Sequence, residues 1–480
     1  MSPALGASLP GGRRVRPNLV LAICCMSLLM VSLDTTILNV ALPAIRGDLG
    51  ASVSGLQWTI DAYTVVLASL LMVAGSTADR IGRRRIFQYG LVVFTVASVL
   101  CSLAPDLRWL IIFRMLQAVG GTMLNPVAMS IITNTFTEPR ERARAIGVWG
   151  GVVGISMAAG PIIGGALVEY ADWRAVFWIN VPIGVAALVL TALFVPESRA
   201  PKARRMDPVG QLLVMALLGS LTYAIIEAPA AGWTSPLILA CVAVTVVALA
   251  GLLTYERRRR EPLIELRFFR SAPFSGATVI AVSAFAALGG FLFLNTLYLQ
   301  DDRGMSALDA GLHLLPMAAM ALVCAPLSGR LVGTRGPRLS LVLAGATMTA
   351  SGLLFTAMDA ASSDALLYTA YVLFGIGFGF VNAPVTNTAV SGMPRTQAGV
   401  AAAVASTSRQ IGQSLGVAVM GALIAAGLHT TAWGVIAGCG AVVLLVGLLT
   451  TGRWAAGTAE RTASLLAAPA APKRVVTTTP

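Results

Sequence analysis

The sequence predicts an all-α integral membrane protein, with fourteen transmembrane helices built as two six-helix bundles and two extra helices inserted between them. Three observations carry that reading. Of the 480 residues 56% are hydrophobic and only 11% charged, with mean hydropathy +0.80. A soluble domain carries about 25% charged residues, so lipid rather than water is the solvent for most of this surface. The apolar residues fall into runs of spanning length, and a loop sequence at the end of the second run recurs, degenerate, at the end of the tenth. A soluble enzyme, a nucleic-acid binder and a disulfide-built secreted module are excluded by the composition alone.

The runs lie near 18–43, 55–77, 86–105, 109–133, 145–168, 175–195, 208–228, 234–254, 273–299, 309–330, 339–358, 365–389, 397–427 and 431–452. A helix needs about 20 apolar residues to cross the hydrocarbon. The runs are too long, and too free of alternation, for the roughly ten-residue strands of a barrel. Arg13, Arg14 and Arg16 precede the first run in the manner of a signal peptide. The run from Leu19 to Val40 is nevertheless longer than a signal core and lacks an A-x-A cleavage site, so it is read as a retained span. Cys24, Cys25, Cys101, Cys241, Cys324 and Cys439 all sit in or beside apolar runs and show no metal-ligand spacing. They read as small apolar residues.

Arginines orient the chain. With the N-terminus inside, 28 of the 34 Lys and Arg residues fall on cytoplasmic segments and only Arg46, Arg108, Arg174 and Arg303 on external ones. Arg114 and Arg409 remain within spans. This positive-inside bias places both termini in the cytoplasm of a cell membrane. The net charge of +13 is then topology and contact with anionic lipid, with no nucleic-acid partner. Arginine outnumbers lysine 32 to 2, a composition that suggests a GC-rich bacterial genome.

Gly75-Ser76-Thr77-Ala78-Asp79-Arg80-Ile81-Gly82-Arg83-Arg84-Arg85 closes span 2, and Gly329-Arg330-Leu331-Val332-Gly333-Thr334-Arg335-Gly336-Pro337-Arg338 closes span 10, 254 residues later. At the length of one span and its loop, that offset holds eight spans rather than the six of a plain duplication. The expected organisation is a tail at 1–17, a six-helix bundle at 18–196, and a linker with two extra helices at 197–260. A second six-helix bundle follows at 261–452, then a disordered Ala/Thr/Pro-rich tail within 453–480. Repeats of this kind hold their substrate at the interface of the bundles near the midplane.

Taken in order, the motifs resemble the major facilitator superfamily, and within it the 14-span drug:proton antiporter branch. The resemblance covers nearly the whole chain. It rests on Leu33-Asp34-Thr35-Thr36-Ile37-Leu38-Asn39-Val40-Ala41-Leu42-Pro43 in span 1, the Gly75–Arg85 loop, and Arg114, Gln117 and Gly120 in span 4, where Ala118 replaces the usual glycine. Gly154, Gly160, Pro161, Gly164 and Gly165 match the antiporter motif of span 5. Asp172-Trp173-Arg174, Asn180-Val181-Pro182-Ile183-Gly184, Tyr298-Leu299-Gln300 and Ala310-Gly311-Leu312 with Pro316 point to the 14-span branch. The resemblance implies the major facilitator fold, export rather than import, coupling to protons through the span-4 arginine, and a rocking latch formed by Gly75, Asp79, Arg80, Gly82 and Arg83.

The residues themselves suggest the chemistry. Asp34 lies about 14 Å below the external end of span 1, where a lone carboxylate is costly and suited to reversible protonation. Arg114, about 9 Å below the same face, cannot release a proton, but it can favour the charged form of a neighbouring acid. Asp61, about 7 Å into span 2, is a second proton site or a contact for a cationic substrate, with an interfacial role as the alternative. Gly154, Gly160, Gly164 and Gly165 permit close helix approach, and Pro161 bends the helix between them. Asn39, Gln117, Asn125, Asn295, Asn382 and Arg409 are the remaining polar groups that could line a cavity, and Arg409 has no obvious acidic partner.

These features predict a proton-coupled antiporter that exports amphipathic, cationic or zwitterionic drugs and acts as a monomer amid membrane lipids without a cofactor. The alternative is a dedicated exporter of one metabolite or lipid on the same fold. Neither Lys202 nor Lys473 follows a glycine, so there is no Walker A motif for ATP, and no H-E-x-x-H helix or metal-spaced His/Cys set suggests an enzyme.

Overall fold

A computed structural model describes residues 16–199, 207–259, 262–391, 393 and 397–467. Arg13, Arg14, Lys202, Arg204, Arg205, Arg260, Arg395, Lys473 and Arg474, all counted in the charge asymmetry, lie outside the described residues. The described chain is helical throughout. The first bundle consists of α1 (Pro17–Leu49), α2 (Val53–Ile81), α3 (Arg83–Ser102), α4 (Leu107–Thr135), α5 (Pro139–Tyr170) and α6 (Ala175–Phe194). Then come α7 (Pro208–Ala231) and α8 (Pro236–Arg258). The second bundle comprises α9 (Ala272–Asp302), α10 (Ala307–Arg335), α11 (Pro337–Thr356), α12 (Asp364–Val390), α13 (Ala398–Ala425) and α14 (His429–Thr450).

Thirteen of these helices are long and apolar enough to cross a membrane. The fourteenth expected span, α13, has the length at 28 residues but a polar centre running from Ser406 to Ser414. It keeps those groups from lipid by packing against α9, α2 and α7.

Short, capped connections set the helix ends. Ser52, Asp106, Glu138, Asp207 and Ser306 each accept a hydrogen bond from a backbone N–H three residues on, at 2.8–3.2 Å. This satisfies donors that helix starts leave open. The breaks within α4, α6 and α10 fall at Met123–Leu124, Ile179 and Leu314, just before Pro126, Pro182 and Pro316. Each proline removes the hydrogen bond that would bridge its break. Beyond α14 the structure departs from the expected disordered tail, because Arg453–Ala467 forms a further helix, α15. It is amphipathic: Ala455, Ala459 and Thr462 are buried, and Thr458 Oγ1 accepts the N–H of Ala272 at 2.9 Å, tying α15 to the start of α9. Residues 468–480 lie outside the described residues.

The two groups of six helices each pack mainly among themselves, and α7 packs across the seam between α2 and α13. Its dock is polar: Trp58 Nε1 donates to Glu227 Oε1 at 2.7 Å, and the Gln211 amide donates to the Ser69 carbonyl. The outer helix α8 rests on α7 and exposes Leu237, Leu239, Val244, Val246 and Val247, a surface suited to lipid.

The bundles meet along α2 and α13, where Met72 packs near Ala401 and Val404, and they are also tied together by hydrogen bonds on the arginine-poor side. There Arg46 Nη1 donates to Asp301 Oδ2 at 2.7 Å, Gln300 Nε2 to the Val40 carbonyl at 3.0 Å, and the Leu308 N–H to Glu169 Oε2 at 3.2 Å. Beneath them a cavity of about 240 Å³ is lined in part by Arg46, Tyr298, Asp301, Ile424 and Trp433. On the arginine-rich side the lower halves of α4 and α12 pack within their own bundles.

The loop after α2 turns at Gly82, whose φ of 129° favours glycine, and a Cβ there would come within 2.6–2.8 Å of the Glu197 carboxylate. Glu197 accepts the Arg84 N–H at 3.1 Å and so joins this loop to the segment after α6. Gly82→Ala is therefore expected to destabilise the protein by about 1–3 kcal/mol, read as a lower melting temperature of the purified chain; an unchanged melt would show that the loop relaxes freely.

Candidate functional site

In the middle of the first bundle lies a buried, charged cluster. The Arg114 side chain is fully buried and that of Asp34 is 1% exposed. Arg114 Nη1 donates to Asp34 Oδ2 at 2.5 Å and to Gln117 Oε1 at 2.5 Å, while Arg114 Nε donates to the Thr59 carbonyl at 3.2 Å. Asp34 Oδ1 accepts from Gln117 Nε2 at 2.8 Å and from Asn180 Nδ2 at 2.9 Å. Ser98 Oγ accepts a second hydrogen bond from Gln117 at 2.9 Å, which fixes the amide orientation. The guanidinium lies 4.3 Å from the Tyr63 ring centroid and 5.9 Å from that of Phe177. Groups from α4 and α6 thus meet on the carboxylate of α1, and α2 and α3 join the cluster through Arg114 and Gln117. The donors to Asp34 complement the charged form, and Arg114 supplies the counter-charge that a buried carboxylate needs.

Small residues on α5 let it pack closely against α1, the helix that carries Asp34. A Cβ on Gly160 would strike Thr36 Oγ1, and one on Gly164 would lie 3.1 Å from the Ile37 backbone. Gly165, one position on, faces the other bundle, where a Cβ would lie 2.5 Å from the Ala307 carbonyl. A Cβ on Gly311 would in turn strike the Pro161 carbonyl, and Gly154 faces Leu322. One helix, α5, therefore presses its backbone against α1 on one side and against α10 on the other. Gly165→Leu is expected to hold the arginine-poor seam apart, so that a cysteine introduced at Ile424 reacts faster with an impermeant maleimide; equal rates in both backgrounds would count against that seam.

The other expected residues are dispersed. Asp61 is fully buried on the flank where α2 meets α13. Its Oδ1 accepts from Thr64 Oγ1 at 3.1 Å, the Ser414 hydroxyl adjoins it from the other bundle, and its Oδ2 makes no hydrogen bond of good geometry. One turn away, Gln57 Nε2 donates to the Ala418 carbonyl at 2.7 Å. Asn39 donates to Thr35 within its own helix at 2.9 Å. Asn295 lies in the core of the second bundle, where its Oδ1 accepts from the Tyr371 hydroxyl at 2.5 Å. Asn125 stands half-buried at the break in α4, Asn382 half-buried on α12, and Arg409 half-buried on α13.

Asp79 accepts from Arg83 Nη2 at 2.8 Å and Nε at 3.1 Å, a pair contained in the first bundle. Gly75 stands in open space, and Arg80 borders the same arginine-rich face. Sequence reasoning missed Ser98, Tyr63 and Phe177, which carry no motif. It treated Asn180 as part of a family signature without placing it on Asp34.

Two helical bundles that meet along a glycine-faced seam, the first enclosing a buried acid–arginine pair, are the architecture of a multi-pass membrane transporter. Residues 24–417 match the Major Facilitator Superfamily, and the chain belongs to it. It is 40% identical over 417 residues to the tetracenomycin C resistance and export protein of Streptomyces glaucescens, covering 86% of this chain and 77% of that one. It is 37% identical over 406 residues to the multidrug resistance protein Stp of Mycobacterium tuberculosis, covering 85% and 75%. With the methylenomycin A resistance protein of Bacillus subtilis the identity is 34%, over 89% and 91%. A solved POT family transporter, in complex with 5-aminolevulinic acid, shares the fold with TM-score 0.68 at 16% identity, over 90% of this chain and 96% of that one.

Removing one partner of a buried ion pair strands the other charge, at a cost of about 3–5 kcal/mol. Asp34→Asn and Arg114→Gln should therefore each destabilise the protein, and Asp34→Asn the more, because it strands a guanidinium that cannot shed its proton. The double change Asp34→Asn/Arg114→Gln should cost less than the sum of its single changes. Denaturation midpoints of the purified variants test this, and strictly additive losses would mean that the two side chains are not coupled.

Proposed function

We propose that this protein is a proton-coupled antiporter that exports amphipathic small molecules, antibiotics among them, across a bacterial cell membrane. The reading carries over the export and resistance named for its relatives. It rests most on the buried pair of Asp34 with Arg114. In the proposed cycle the arginine-rich side is cytoplasmic, as are both termini, and the closed seam at Arg46 and Asp301 is external. Asp34 is charged in this inward-facing state, where Arg114, Gln117 and Asn180 hold it while substrate enters from the cytoplasm. After the bundles rock outward, a proton from outside neutralises Asp34, its hold on Arg114 weakens and substrate leaves. Return inward delivers the proton. The same reading makes α1–α6 and α9–α14 the moving bodies of a monomer, with α7 and α8 as a flank. Asp61 is a second proton-coupling candidate, and the loop of Gly75, Asp79, Arg80, Gly82 and Arg83 is the cytoplasmic latch.

Efflux of a fluorescent lipophilic compound from energised cells should be abolished by a protonophore and reduced at least about tenfold by Asp34→Asn, since proton binding can drive export only if the carboxylate titrates. Full efflux in Asp34→Asn would move coupling to Asp61. Efflux insensitive to the protonophore would refute proton antiport.

A further inference from the structure

Of the 21 acidic residues, only Asp34 and Asp61 lie in the middle of a span, and neither opens onto the space between the bundles. Asp34 is enclosed by Arg114, Gln117 and Asn180, and Asp61 is sealed between α2 and α13. The sequence-level preference for cationic substrates rested on Asp61, and burial removes that support in this conformation. The mid-span cation of the second bundle has the opposite character. Arg409 lies deep in the protein and is half-buried, with its Nε enclosed and the rest of the guanidinium partly accessible. It is hydrogen-bonded through Nη2 to Thr386 Oγ1 at 2.6 Å, its Nε has no partner, and no charged group among the described residues acts on it. Thr386 is itself exposed, and Asn382, one turn earlier on α12, stands half-buried with no hydrogen bond to its side-chain amide among the described residues. Polar groups left open in mid-span face a water-filled cavity rather than lipid. Beside them the Phe285 ring lies 5.9 Å from the guanidinium and meets Phe378 edge to face at 5.3 Å.

On this basis we propose that Arg409, with Thr386 and Asn382, is an anion-recognising subsite of the transport cavity, and that preferred substrates join an aromatic body to a carboxylate, enolate or phenolate. The proposal rests on the export reading for the identity of the cavity. The chemistry follows from the groups present. A guanidinium with unused donors in a low-dielectric setting offers charge-assisted hydrogen bonds to an oxyanion. The partly exposed Phe285 ring can accept the apolar body, and among the described residues no carboxylate acts on the guanidinium to attract a cation. Zwitterions remain compatible through their anionic end.

The test uses two probes of one shape and opposite charge, 1-pyrenebutyrate and 1-pyrenebutyltrimethylammonium. Their equilibrium binding to the purified full-length protein is measured by fluorescence. Wild type should bind the anion about tenfold or more tightly than the cation, the discrimination that one charged hydrogen bond supplies. Arg409→Gln should abolish that preference by weakening the anion alone, Arg409→Lys should retain part of it, and Thr386→Val should leave the sign unchanged. Equal binding of both probes by wild type, a preference for the cation, or a preference that survives in Arg409→Gln would each overturn the proposal. Binding is read without a gradient, so failure of proton coupling in transport assays would leave this result intact, and a failed subsite would leave proton-driven export standing.

Discussion

A single carboxylate and a single guanidinium, both removed from water, organise the first bundle. Burying either charge alone is prohibitive in a low-dielectric interior, so Asp34 and Arg114 must be brought together and most of their remaining hydrogen-bonding capacity met, although Arg114 Nη2 has no hydrogen-bond partner. Gln117 bridges both partners, Asn180 comes from α6, Ser98 from α3 and the Thr59 carbonyl from α2. Because each contributes from a different helix, the mutual positions of α1, α2, α3, α4 and α6 depend on one ion pair. Such a pair adds little net stability compared with an apolar core of equal volume, but in the proposed cycle it is the point at which one proton would act.

The glycine face of α5 links this cluster to the seam between the bundles. Gly160 and Gly164 bring α1 to within backbone contact, and Gly165, on the adjoining face, does the same for α10. Packing at backbone distance leaves little room for independent movement, so a shift of α1 against α5 is transmitted to the α5–α10 contact. In the proposed cycle that contact, Arg46 with Asp301, and Gln300 with the Val40 carbonyl form one external closure.

Charge is distributed unequally between the halves. The first bundle neutralises its intramembrane arginine internally, whereas the second leaves Arg409 with a hydroxyl and an aromatic ring for company. If coupling and recognition were to share one acid, substrate and proton would compete for it directly. Separating the protonatable pair from the proposed anion subsite lets the two halves divide those tasks, with the rocking of the bundles as their only link.

The sequence by itself determined the class of fold and most of its helices, because lipid imposes a signal that does not depend on tertiary context. Runs of about 20 apolar residues, arginine asymmetry and the repeated loop are all local or compositional. The same locality explains why α13 carries a weaker apolar signal than the other spans and why α15 was not expected. The polar centre of α13 is tolerated only because α2, α7 and α9 cover it, and α15 is held by a face that finds the start of α9. At the site, Asp34 and Arg114 were legible as isolated intramembrane charges, but their pairing spans 80 residues of sequence and that of Asp34 with Asn180 spans 146. Only the tertiary structure decided that Asp61 and Asn295 are enclosed while Arg409 is left open. Helix rotation sets which polar group meets a neighbour and which meets a cavity, and a buried span shows too little amphipathic contrast to reveal that rotation in its sequence.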